Sequence, residues 1–158
     1  MHRWACEQEA VTKATRQMVW EFWTDLRNHE LEPGVERIEL DGPFETGAVG
    51  RTVTAHGTHE WALVDVVQHT RFAIVGQTPD ESGSLSFAWE LAEHPHGTHI
   101  TYRIRADGPQ VPDSMDILRG MEERAPAALE QLVAWLDALP PRAAQPPVAP
   151  PTPGPGTA

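Results

Sequence analysis

The sequence predicts an α+β domain in which a curved antiparallel β-sheet is wrapped around a long C-terminal helix. Three observations predict it. Residues 3 to 12 alternate loosely between apolar and polar and are followed by helical patterning. The period then changes to two for most of the chain. Finally, an apolar stripe at helical spacing runs for about 26 residues near the C-terminal side. A sheet with one apolar face and a helix with one apolar stripe bury both by packing together, and any space the helix leaves unfilled is a cavity.

In the first strand, Trp4, Cys6 and Ala10 oppose Glu7 and Glu9. Thr15 is placed to cap a short helix, because a threonine oxygen can accept from an orphan amide of the first turn. Val19, Trp20, Trp23 and Leu26 carry that helix to about Leu26, and residues 27–32 suggest a second short turn, ended by Pro33-Gly34. Residues 35–40 alternate only roughly. After the Gly42-Pro43 and Gly47 loop, a strand from Gly50 to His56 turns at Gly57-Thr58 and returns from His59 to Val67. Arg71 to Gly76 is the next strand. The cleanest alternations are Leu85, Phe87, Trp89 and Leu91, and, after Pro95-His96-Gly97, Ile100, Tyr102 and Ile104. The second of these exposes Arg103 and Arg105 and buries Tyr102. Gly108-Pro109 closes the sheet region, and Asp113 or Ser114 caps the last helix. Its stripe is Leu118, Met121, Ala125, Leu129, Leu132, Leu136 and Leu139. Pro126 lies inside it and predicts a kink or break, because proline removes one ladder bond and crowds the preceding turn.

Composition narrows the function classes. The chain has 158 residues, a formal charge of −11, twelve Lys plus Arg and a single cysteine. Eight of the fifteen prolines fall in residues 140–158. This predicts a folded domain over 1–139 and a disordered Pro-rich tail over 140–158, since that segment has almost nothing to bury. The abundance of Ala, Pro, Gly and Arg resembles a GC-rich, bacterial-like coding bias. No apolar run approaches the roughly twenty residues a membrane helix needs, and no secretory leader is evident. One cysteine cannot form an internal disulfide, so a reducing, cytoplasmic setting is expected, with Cys6 a half-buried hydrophobe. A negative chain without a basic cluster argues against nucleic-acid binding.

Several segments carry a resemblance. Val19-Trp20 with Thr24-Asp25, then Pro33-Gly34-Val35-Glu36, then Gly42-Pro43-Phe44 with Gly47-Ala48 and Gly50, precede Gly97-Thr98-His99-Ile100-Thr101 and Gly108-Pro109. In that order they resemble the START-like, or SRPBCC, superfamily of helix-grip proteins, in its polyketide cyclase/dehydrase-like branch. Asn28-His29-Glu30-Leu31 stands where many relatives carry two tryptophans. The resemblance implies a small hydrophobic-molecule binding protein whose ligand sits between sheet and C-terminal helix. The alternative it implies is a cofactor-free polyketide cyclase or dehydratase. An interaction protein recruited by the tail is a third class.

The candidate site residues follow from parity. Tyr102 shares a face with Ile100 and Ile104, where a phenol can donate to a bound carbonyl and polarise it toward an enolate. His56, at a strand end, is the candidate base, since its pKa lies near neutrality. Trp61, Phe72, Phe87, Trp89 and Ile104 are expected to line the ligand space, with Met115, Leu118 and Met121 as an adaptable helical wall. Arg37 and Arg51 need an acid or a ligand carboxylate if they point inward. His94, His96 and His99 have ligand-like spacing but sit at a turn, and neither a metal nor a cofactor is expected. The expected partner is a small hydrophobic or aromatic ligand, and the chain is expected to be a monomer or homodimer.

Overall fold

A computed structural model describes residues 2–31, 34–77 and 82–140. The chain runs β1 (Arg3–Thr12), α1 (Arg16–Thr24), a 3-10 turn (Leu26–Leu31), β2 (Val35–Leu40), β3 (Val49–Thr54), β4 (Gly57–Val67), β5 (Arg71–Gln77), β6 (Ser84–His94) and β7 (Gly97–Asp107). A second 3-10 turn (Pro112–Ser114) leads into α2 (Met115–Asp137). The seven strands form one antiparallel sheet in the order β1-β7-β6-β5-β4-β3-β2. The predicted fold class is the observed one. Pro33 and the Pro-rich segment 141–158 lie outside the described residues.

Local chemistry sets the element boundaries. Thr15 Oγ1 accepts from the Met18 amide at 3.2 Å and caps α1. The helix ends at Thr24 rather than Leu26, because Asp25 turns extended and its carboxylate takes the Arg27 amide instead. The β3–β4 turn falls at Ala55–His56, two residues before the expected Gly57-Thr58, and Gly57 opens β4 at φ +130°. β4 carries a bulge between Val64 and Val67, with Asp65 at φ +50°. Bulges bend a strand and sharpen its twist, which helps curl the sheet. α2 is unbroken through Pro126. The missing proline amide leaves the Glu122 carbonyl without its usual donor, on a side of the helix that faces water. The predicted break does not occur.

Strand parity divides the sheet into two faces. Two buried clusters occupy the inner one. The larger joins Val19, Trp20 and Trp23 of α1 to Leu63, Phe72, Leu91, Ile100 and the α2 residues Leu129, Leu132 and Leu136. The smaller joins Ala106, Val111 and Leu118, with Trp4, Leu85, Met115 and Met121 around them. Of the strands, β1 lies closest to α2. At its far end α2 is clasped to the start of the chain: Asp137 Oδ1 accepts from Thr12 Oγ1 at 2.7 Å and from the Lys13 amide at 2.8 Å.

Candidate functional site

The register of the sheet assembles an aromatic wall between the two clusters. Gln8 pairs with Tyr102, Tyr102 with Trp89, and Trp89 with Phe72, so one inner-face row crosses four strands. The next row is Cys6, Ile104, Phe87, Ile74 and Leu63. Tyr102 and Trp89 stack with ring centroids 3.9 Å apart and planes 13° apart. Phe87 lies parallel to Tyr102 at 6.4 Å. Trp23 leans on Trp89 at 5.2 Å, and Phe72 meets Trp23 edge-on at 5.3 Å. Trp20, Phe44 and Phe72 continue the chain of rings into the core.

Burial separates wall from backing. Trp61, Phe72, Ile104 and Leu118 are buried. They support the wall rather than form its surface. Trp61 is held further by a hydrogen bond from its indole nitrogen to Thr52 Oγ1 at 2.9 Å. Phe87, Trp89 and Tyr102 are only half-buried, although they lie mid-sheet on the inner face. Tyr102 therefore faces inward as its parity predicts, but is not buried. Met115 and Met121 are half-buried and belong with Leu118 to the smaller cluster, at one end of the wall.

His56 does not join this group. It is exposed on the β3–β4 turn, with β5 and β6 between that hairpin and Tyr102, and its amide donates to Thr54 Oγ1 at 3.2 Å. Sequence reasoning passed over Gln8, the half-buried polar residue paired with Tyr102. Its signal was there: it shares parity with Trp4, Cys6 and Ala10. Trp23 was also read only as helix core, yet it is the ring that braces Trp89.

The charges lie on the other face. Arg51 bonds Glu39 at 3.2 Å and Asp41 at 2.7 Å, and Arg37 bonds Glu39 at 2.7 Å. Arg103 bridges Glu7 at 2.6 Å and Glu90 at 3.2 Å. Hydrogen bonds from Arg51 hold the Glu39 and Asp41 carboxyls below their ordinary pKa. At Cys6, burial pushes the thiol up, and the Glu122 carboxylate of α2 adds to the shift. The His94 and His96 rings lie 5.5 Å apart at the β6–β7 turn. Among the described residues no three His, Cys, Asp or Glu side chains converge as metal ligands would. Two surface depressions lie away from the wall. One, of about 510 Å³, is lined by His2, Gln77, Ser84 and Asp107. The other, of about 370 Å³, is on the outer face around Ala5, Ala88 and Arg103.

The chain was compared with known proteins. No curated protein sequence matches it. Among solved structures it is similar to protein MLL2253 from Mesorhizobium loti, at 18% identity and a TM-score of 0.65, covering 85% of this chain and 97% of that one. It is similar to Ara h 8.0201 at 12% identity and a TM-score of 0.68, covering 85% and 98%. It is also similar to norcoclaurine synthase from Thalictrum flavum, solved with dopamine and hydroxybenzaldehyde, at 11% identity and a TM-score of 0.65, covering 85% and 86%. These likenesses establish the fold. The family described as polyketide cyclase / dehydrase and lipid transport matches residues 3–137, almost the whole described chain. With that match and the helix-grip architecture, the protein belongs to the polyketide cyclase-like branch of the SRPBCC superfamily.

Proposed function

We propose that this protein binds a small, hydrophobic, aromatic molecule between the inner face of the sheet and α2, with Trp89, Tyr102 and Phe87 as the contact wall. The observation that carries the reading is the half-burial of these three rings in the middle of a face that is closed at both ends. Large flat side chains left partly uncovered offer a ligand apolar area at little entropic cost. Membership of a family described by cyclase, dehydrase and lipid-transport activities supports a small-molecule role. The norcoclaurine synthase of the same fold, solved with two aromatic molecules, supports an aromatic ligand. No described helix is long and apolar enough to cross a membrane. The single cysteine fits a cytoplasmic, reducing setting.

A second reading is a cofactor-independent cyclase or dehydratase, favoured by the Tyr102 phenol on the wall. There the phenol donates to a ligand carbonyl and stabilises the negative charge that develops on its oxygen. One experiment separates the two. Naphthalene binding, followed by tryptophan quenching, is expected to weaken about tenfold or more in Trp89→Ala. Tyr102→Phe is expected to change affinity by about 1–2 kcal/mol at most, the scale of one hydrogen bond. If Trp89→Ala binds as the wild type does, the wall is not the site. Against a carbonyl substrate, a loss of turnover in Tyr102→Phe with binding retained selects the enzyme.

A further inference from the structure

We infer that the ligand is an uncharged planar aromatic carrying a hydrogen-bonding oxygen, and that Gln8 is the residue that selects it. This rests on the aromatic-wall reading above and narrows it. The first support is the placement of cations. Arg3, Arg37, Arg51, Arg71, Arg103 and Arg105 are the arginines of the strands, and all lie on the outer parity; of the strand histidines only His59, exposed near the start of β4, shares the inner parity. Each arginine is already paired with a carboxylate: Arg3 with Asp107 at 3.0 Å, Arg71 with Asp65 at 2.8 Å, Arg105 with Asp107 at 2.6 Å, and the others as described. The rows of the wall therefore offer no arginine or lysine as a counter-charge. A carboxylate or sulfate ligand loses its hydration there and gains no cation in exchange.

The second support is Gln8 itself. It lies in the wall's own row, beside the Tyr102 ring, with Cys6 and Ala10 as its neighbours on the inner face. No hydrogen bond from another described residue engages its side chain. A carboxamide is both donor and acceptor, so it can give to a carbonyl or take from a phenol. A site with such a group strongly prefers ligands that satisfy it, because an apolar analogue leaves the amide unpaired. The rings supply contact area, and Gln8 supplies orientation and choice.

Three probes of one shape test this: naphthalene, 2-naphthol and 2-naphthoate, titrated at pH 7 into the full chain by tryptophan quenching and calorimetry. The wild type is expected to bind 2-naphthol at least tenfold tighter than either of the others. Gln8→Leu is expected to reduce the preference for 2-naphthol over naphthalene at least fivefold. Gln8→Lys, which supplies the missing cation, is expected to improve 2-naphthoate binding at least tenfold. Circular dichroism checks that each variant is folded. Should Gln8→Leu not fold, the wild-type ranking and Gln8→Lys still decide. An unchanged preference in Gln8→Leu overturns the role of Gln8, and wild-type binding of 2-naphthoate as tight as that of 2-naphthol overturns the charge selection. Failure of naphthalene itself to bind the wild type is a different result, and overturns the wall reading together with this one.

Discussion

Gly50 shows how little freedom a single position can have. It pairs with Trp61 across β3 and β4, and the Trp61 indole lies over it so closely that a Cβ would run into the ring. The indole cannot easily retreat, because its nitrogen is tied to Thr52 and the ring is buried. Gly50→Ala is expected to destabilise the fold by about 1–3 kcal/mol, the range for overpacking a filled core. Urea unfolding measures it, and an unchanged midpoint would mean that the ring shifts without cost. At this scale the sequence is a partial guide. The alternation around Ile100 and Ile104 shows which way Tyr102 faces. It does not show that Trp89 will be its partner at stacking distance, because cross-strand register is fixed by turns and bulges remote from both residues. Gln8 was legible by the same parity, but a polar residue in a half-buried strand reads first as a solvated one. Trp61 and Phe72 were legible as inward aromatics. Whether such a ring is wall or backing depends on what α1 and Phe44 place over it.

Among the elements, α2 illustrates what patterning can and cannot supply. Its apolar stripe predicts the helix, and Leu118, Ala125, Leu129, Leu132 and Leu136 are its buried residues. Pro126 suggested an interruption, but it falls on the watery side, where solvent can serve the carbonyl left behind. The Asp137 clasp was not legible, because its partners Thr12 and Lys13 lie at the other end of the sequence. There the hydrogen bonds from Thr12 and Lys13 outweigh desolvation and hold the Asp137 carboxyl below its ordinary pKa. A depressed folded pKa means that this stability is fully present above the unfolded carboxylate value, near 4. It is lost as pH falls through the lower folded value. Asp137→Asn is expected to lower stability by about 1 kcal/mol near pH 7, a small figure because the site is exposed and screened by solvent. The gap between variant and wild type is expected to close at low pH, once the folded-state carboxyl is also protonated. Chemical denaturation at both pH values checks it, and a gap of equal size at low pH would remove the charge from the account.

For the whole molecule, the sheet order and the two-faced distribution of charge and aromatics follow from parity plus antiparallel pairing. These were the most legible features of all. Less legible was the state of the inner face, which depends on how closely a helix approaches a curved sheet. The boundary near Leu139 gives a prediction at this scale. Removing residues 141–158 is expected to leave the unfolding midpoint and the naphthalene affinity unchanged, because both described clusters and the rings of the wall are built from residues 4–139. A thermal melt and a titration of the shortened chain test this, and a drop in either would give the Pro-rich segment a part in the fold or the site.

The order of the strands in the sheet also sets a schedule. β1 is made well before β7, its strand neighbour among the described residues, and its clasp waits for Asp137, 125 positions after Thr12. During synthesis the first strand must therefore remain unpaired while β2 to β6 emerge. β1 therefore joins the sheet only once β7 has been made, and until then Gln8 has no place beside Tyr102. On the ribosome, a nascent chain that stops before β7 would present β6 as an unpaired edge, with neither Tyr102 nor Gln8 in the wall. The aromatic wall and the last strand pair of the sheet are completed together.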